Sequence, residues 1–199
     1  MDGVTGEGAP RVGYQGEPGA FGEAAIARWW DGRAEAVPMP TFEHVADAVA
    51  AGVLPFGVLP VENSIAGRVA AAEAALADEG HLEVVGEVRL AVDQCLLALP
   101  GASLDALESV SSHPVALAQC GRFLRAHPWL RVEVVEDTAG AARMVAAAGD
   151  PRRAAIAGRA AAGRHGLAVL VADVHDRADN ETRFVIIAPA GHARGRDGW

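Results

Sequence analysis

LEVVGEVRLAVDQCLLAL, residues 82–99, is too long for a single strand of a single sheet. Its residues favour extended backbone almost throughout, Gly86 is the one break near its middle, and strands usually end after about 5–6 residues. The reading is a chain that leaves one sheet and enters another. Upstream, Arg11 to Tyr14 reads as a strand, Gln15 to Gly19 as a Gly-rich turn, and the residues through Trp30 as a helix. Ala34 to Pro38 is a second strand, Thr41 an N-cap for a helix to about Ala51, Phe56 to Leu59 a third strand, and Arg68 to Ala77 an Ala-rich helix closed by Gly80. Downstream of the Pro100-Gly101 turn the alternation restarts. Strands are expected near Glu108 to Ser111, Arg131 to Val135, Ala154 to Ala157, Ala168 to Ala172 and Arg183 to Ala188, the last after a polar loop. The helices fall from Pro114 to about Ala126, from Asp137 to Ala148, and between the strands at 154–157 and 168–172.

Strands alternating with amphipathic helices specify α/β architecture. With a crossing out near residues 85–95 and a return near 172–180, the expectation is two α/β lobes forming a clamp, a shape that takes small ligands in its cleft. The expected division is lobe 1 at about 11–88 plus 175–188 and lobe 2 at about 89–174. Residues 1–10 and 191–199 are expected to be flexible tails.

Composition narrows the function. At 199 residues with 51% hydrophobic and 22% charged, the chain can bury a core, in one globular unit or two small lobes. Seventeen basic against 26 acidic residues give a net charge of −9, every basic residue is Arg, and no basic run occurs. That argues against a nucleic-acid partner and against an anionic membrane surface. Cys95 and Cys120 stand in neither disulfide nor zinc spacing and read as buried thiols of a reducing compartment. The start, Met1 to Pro10, has no apolar stretch of the kind a secretion signal needs, so the expectation is a soluble, cytoplasmic, unprocessed protein.

Five polar constellations interrupt the strand and helix pattern. GYQGEPGAF, residues 13–21, is a turn before a helix whose backbone N–H groups suit an anion; equally it is a tight turn needing positive φ. Its glycine spacing is not that of a dinucleotide fold. In PVENSIAG, residues 60–67, Glu62, Asn63 and Ser64 follow a buried strand, as helix caps or as ligand contacts where open α/β sheets bind. Ser111-Ser112-His113-Pro114 reads as a cap with Pro at the first helical position, and His113 as cap or ligand contact. In Glu136-Asp137-Thr138-Ala139, Asp137 is the cap and Thr138 the better ligand candidate. Asp179-Asn180-Glu181-Thr182-Arg183-Phe184 holds the second of only two Asn residues, with an Arg and a hydroxyl adjoining. Together these offer amides, hydroxyls and an Arg without metal spacing or a Ser/His/Asp arrangement, a set suited to a small anionic organic acid.

Taken in order, GYQGEPGAF, LPVENSIAG, GEVRLAVDQCLLALPG, SSHPVALAQC, DTAGAA, AAIAGRAAAGRHGL and NETRF resemble the catalytic domain of prephenate and arogenate dehydratases over about residues 11–188. The resemblance implies a two-lobed clamp like a type II periplasmic binding protein, with the active site between the lobes and no cofactor. It implies removal of water and CO2 from prephenate to give phenylpyruvate, the step toward phenylalanine. Thr182, of the TRF motif, is then the essential residue, assisting departure of the substrate hydroxyl. Arg183 is a candidate carboxylate clamp, and Phe184 a substrate neighbour or a packing residue. Glu62, Asn63, Ser64, Thr138, Ala20, His113 and Asn180 complete the expected substrate contacts. The chain has Gly19-Ala20-Phe21-Gly22 where bacterial members often carry two more hydroxyls, the form common in arogenate-using relatives, and Gly158 where the family frequently has Ser. Arogenate is therefore an alternative substrate. Only 15 residues follow Phe184, too few for the phenylalanine-binding ACT unit of many members, so no built-in feedback is expected; a homo-oligomer is an open expectation. A solute-binding protein would share the clamp but calls for a secretion signal. A non-aromatising prephenate decarboxylase is expected to lack the ENS and TRF motifs present here.

Overall fold

A computed structural model describes residues 8–77 and 80–192. The elements in chain order are β1 (Arg11–Gln15), α1 (Phe21–Trp29), β2 (Glu35–Met39), α2 (Phe42–Ala50), β3 (Phe56–Asn63), β4 (Gly67–Arg68), α3 (Ala70–Leu76), β5 (Leu82–Ala91) and β6 (Gln94–Ala98). They continue with β7 (Ser109–Ser112), α4 (Pro114–Gln119), α5 (Gly121–Ala126), β8 (Arg131–Val134), α6 (Thr138–Ala148), β9 (Arg153–Gly158), α7 (Arg159–His165), β10 (Ala168–Val171) and β11 (Glu181–Pro189). The expectations for the extreme tails fall on residues 1–7 and 193–199, outside the described residues.

The long run does divide between two sheets. β5 lies at the edge of the first, ordered β2-β1-β3-β11-β5 with β4 on β3, and β6 is the second strand of the other, ordered β10-β6-β9-β7-β8. The crossing occupies Val92 and Asp93, where Val92 N–H is held by the Asn180 carbonyl at 2.8 Å, so outgoing and returning chains are tied together. β1, β2 and β3 are parallel, and β11 is antiparallel to both β3 and β5. The chain therefore goes back to the first sheet to place its last strand in that sheet's interior.

Apolar residues cover both faces of each sheet. One face of the first carries Val12, Tyr14, Val58, Phe184 and Ile186 under α1, and the other carries Leu59, Val185 and Ile187, packed against Val45 and Val49 of α2. In the second sheet, Leu96, Val110 and Ile156 pack against Leu117 of α4, while Leu97 and Ala155 pack against Ala141 and Val145 of α6. Buried Ala139, Ala141 and Ala142 leave little side chain between α6 and its sheet. Gly57 does the same for α2: a Cβ there would stand 2.7 Å from Val45 Cγ1.

Three segments differ from the sequence reading. Gly67–Arg68 turns back as β4 to pair with Glu62 and Asn63, so the helix expected from Arg68 begins only at Ala70. The helix expected from Pro114 to Ala126 is broken at buried Cys120, because the Gln119 carbonyl accepts Asp176 N–H at 2.7 Å from the returning chain. Thr182 lies in β11 rather than in a loop ahead of it, since β3 and β5 both extend far enough to pair with it.

Candidate active site

β3 and β11 end side by side, and their register places Asn63 directly opposite Thr182. The Asn63 amide is the centre of the site. Its Oδ1 accepts the N–H groups of Ile65 at 3.0 Å and Ala66 at 2.8 Å, the local side-chain turn that short Asn side chains favour, and no helix is capped. Its Nδ2 faces three acceptors: Asn180 Oδ1 at 2.8 Å, Thr182 Oγ1 at 3.0 Å and the Glu181 carbonyl at 3.2 Å. From the other lobe, Gln119 at the end of α4 donates Nε2 to Asn63 Oδ1 at 3.3 Å and accepts Asn180 Nδ2 on its Oε1 at 3.0 Å. Asn63, Asn180, Thr182 and Gln119 therefore form one polar network bridging both lobes, in which Thr182 is 8% and Asn180 2% exposed.

The network is neutral, and it occupies one side of the Thr182 hydroxyl. Asn63 occupies an acceptor position on Oγ1, so the hydroxyl's own proton is free to donate elsewhere. Ser64 supports this arrangement from the backbone side. It donates Oγ–H to the Asp179 carbonyl at 2.8 Å and accepts Glu181 N–H at 2.9 Å, fixing the approach to Thr182.

Other expected contacts lie elsewhere. Arg183 alternates to the opposite face of β11, where it lines an outer depression with Val61, Glu73, Leu76 and Val185 and pairs with Glu62 at 3.3 Å and Glu87 at 3.4 Å. Neither Arg183 nor Glu62 joins Thr182, because successive strand residues point to opposite faces. Phe184 is 2% exposed within the first lobe's core, so it packs and does not line a cleft. His113 and Asp137 are the caps of α4 and α6, accepting Val115 N–H at 3.2 Å and Gly140 N–H at 2.5 Å. Thr138 opens α6 and Ala20 caps α1 without a side-chain bond, both at the ends of parallel strands. No hydrogen bond among the described residues links Ala20, His113 or Thr138 to the network.

The anion seat expected in residues 13–21 is filled from within. Gly19 N–H is taken by the Glu23 carboxylate at 2.6 Å, and Glu23 is paired with Arg164 of the second lobe. Two more contacts close the same side: Glu17 with Arg143 at 3.4 Å, and His165 Nε2 with the Pro18 carbonyl at 2.9 Å. Tyr14, buried beneath this strap, has its phenol pushed up to about 12 by burial and by Glu23, against the opposing pull of Arg164. Sequence reasoning misses Gln119. Its signal there is slight: one of three Gln, ending an Ala/Leu helix just before a buried Cys. Only the docking of the lobes gives it partners. No group of three or more His, Cys, Asp or Glu among the described residues is placed to hold a metal ion, and no described helix is long and apolar enough to cross a membrane.

Comparison with known proteins covers nearly the whole chain. Residues 12–192 match the family model described as prephenate dehydratase. Arogenate dehydratase 1 of Petunia hybrida is 43% identical over 180 residues, which is 89% of this chain and 42% of that protein. A crystal structure of prephenate dehydratase from Arthrobacter aurescens in complex with L-Phe superposes with a TM-score of 0.84 at 29% identity, covering 91% of this chain and 61% of that one. A structure described as GqqA, a novel type of quorum-quenching acylase, gives a TM-score of 0.80 at 37% identity, covering 89% and 63%. The chain thus spans less than half of the curated relative and under two thirds of each solved one.

Proposed function

This chain belongs to the prephenate dehydratase family, and on that premise we propose that it converts prephenate to phenylpyruvate, water and CO2. The observation that carries the reading is the Thr182 hydroxyl, held by Asn63 in a buried neutral network with its own proton unassigned. In the reaction the bond from ring to carboxylate breaks, its electron pair enters the ring, and the ring hydroxyl departs as aromaticity forms. That hydroxyl must gain a proton to leave as water. A neutral Thr is a poor acid, so Thr182 serves by donating a hydrogen bond to the departing oxygen, and the proton that completes the water molecule comes from solvent. General-acid assistance of this kind contributes about 10²- to 10⁴-fold. Because Asn63 donates to Oγ1 and is itself fixed from both lobes, the position of the Thr182 oxygen is set before substrate arrives and its proton is left for the leaving group, as electrostatic preorganisation requires.

Arogenate is the second reading. The Petunia relative is named for it, and arogenate carries the same leaving hydroxyl. The acylase activity named for one structural neighbour has less support, since a hydroxyl nucleophile needs a base within reach and the partner of Thr182 is an amide. The test is to incubate the purified protein with prephenate and with arogenate and to follow phenylpyruvate and phenylalanine. Thr182→Val is expected to keep its fold and substrate affinity and to lose kcat by about 10²-fold or more. Turnover of neither acid by the wild-type protein would overturn the reading, and a Thr182→Val variant keeping more than about a tenth of wild-type kcat would remove Thr182 from the role.

A further inference from the structure

Across the cleft, the ring of Phe21 meets the bare backbone of Gly158. Phe21 opens α1 in the first lobe, and Gly158 ends β9 and caps α7 in the second. Gly158 has φ −63° and ψ 149°, an extended conformation that any residue adopts. Its backbone therefore does not demand glycine. The contact opposes a side chain there: a Cβ built on Gly158 would stand 2.9 Å from Phe21 Cζ and 3.1 Å from Cε1, well inside the separation at which two carbons attract, so the ring would have to move.

Two residues before Phe21, Gly19 comes as near to Ala161, where a Cβ would lie 2.7 Å from its Cα. There φ is +95°, which asks for glycine on conformational grounds alone. At Gly158, by contrast, it is the closeness of the lobes and not the backbone conformation that opposes a side chain. It also lies near the hinge, paired with Gln94 in the ladder of β6 and β9, one residue past the crossing at Val92 and Asp93. The same closed arrangement brings Gln119 to within 3.3 Å of Asn63, a bond with little length to spare.

We propose that Phe21 and Gly158 form a stop, ring against backbone, that sets how far the cleft closes and thereby makes Phe21 a positioning residue for the network around Thr182. The proposal rests on the reaction assigned above. A methyl group at residue 158 displaces the ring and holds the lobes apart, and the first bond to lengthen is the one from Gln119 to Asn63. Closure that falls short by an ångström misplaces the proton donor, an error that can cost about 10²-fold in rate.

The test is a double-mutant cycle of Gly158→Ala, Phe21→Leu and the pair together, read by kcat, KM and Tm. Gly158→Ala is expected to lower kcat by about 10- to 10²-fold with a smaller change in KM, and to lower Tm. Phe21→Leu removes the ring tip. In the Gly158→Ala background it is expected to restore kcat at least tenfold and to raise Tm, although in the wild-type background it lowers both. Additive losses in kcat and Tm would overturn the stop. Should Gly158→Ala fail to fold, the double variant must fold, because relief of the clash is what it supplies; its failure would count equally against the proposal. A wild-type protein that turns over neither acid would refute the reaction instead, and the sign of the Tm coupling would still decide the stop.

Discussion

Replacing Asn63 by Asp changes one atom at the centre of the network and reverses its sign. The side chain keeps its shape and the oxygen that accepts the Ile65 and Ala66 N–H groups. What it loses is the donor. In place of Nδ2 a carboxylate oxygen would face Asn180 Oδ1, Thr182 Oγ1 and the Glu181 carbonyl, which now lie 2.8, 3.0 and 3.2 Å away. Thr182 can rotate its proton toward the newcomer. Asn180 cannot turn its amide toward the carboxylate without breaking its 3.0 Å bond to Gln119, and at 2% exposure it has no water to turn to. One orphaned buried acceptor costs about 1–3 kcal/mol, and the repulsion between the new carboxylate and the Glu181 carbonyl places the total near 3 kcal/mol at neutral pH. For a chain of this length that corresponds to a Tm lower by roughly 6–12 °C.

The loss should also depend on pH, in one direction. Protonating the new carboxyl returns a donor, so its folded pKa is raised, by about two units if the full 3 kcal/mol is electrostatic, from an unfolded value near 3.9. A raised folded pKa means that the native state binds more protons than the unfolded one in that window, and stability then falls as pH rises. The penalty relative to wild type should be complete above about pH 6 and should shrink steadily toward pH 4. Urea unfolding of both proteins between pH 4.5 and 8 measures it. A difference that is independent of pH, or that stays below about 1 kcal/mol throughout, would show that Asn63 does not donate into a set of acceptors.

Three further outcomes are expected. Gly57→Ala should destabilise by about 1–3 kcal/mol in the same urea assay, as its methyl meets Val45, Val49 and Ile187 in a packed face. Glu133 is held below the usual carboxylate range by its hydrogen bond from Arg131 and by Arg153, so Glu133→Gln should cost about 0.5–1 kcal/mol at neutral pH. Because that pKa is depressed, the stabilisation is present above the unfolded value near 4.3 and is lost as pH falls through the folded one, and the two urea midpoints should draw together as pH falls. Burial pushes the Cys120 thiol up to about 12 and the Cys95 thiol upward as well, so neither should react with a thiol reagent in the native protein at pH 8, whereas both should after denaturation.

Legibility in the sequence differs from element to element. Strand and helix placement follows from local periodicity, because a buried sheet or helix face imposes its repeat on whatever residues supply it. Thr41, His113 and Asp137 are recognisable as caps because capping involves residues two or three apart, within reach of local reasoning. The two-sheet crossing at residues 82–99 is legible for the same reason: length and extended character are local properties.

The site divides along that line. Asn63 and Thr182 can be singled out by residue type and by the motifs containing them, since a family's order of motifs is a property of the sequence. Their meeting is legible only through the family resemblance, which places both at one site. Their partnership depends on β11 returning to lie between β3 and β5, a pairing across 119 positions that no local pattern encodes. The same return sets the face of each residue, so that Thr182 enters the network while Arg183, one position on, turns to Glu62 and Glu87. Gln119 acquires its partners only when the second lobe docks, and the backbone of Gly158 meets a ring from the other lobe. By itself the sequence determined which groups were available and on what local scaffold. Tertiary structure decided which of them share a space, because hydrogen bonds and steric contacts act over a few ångströms whatever the separation along the chain.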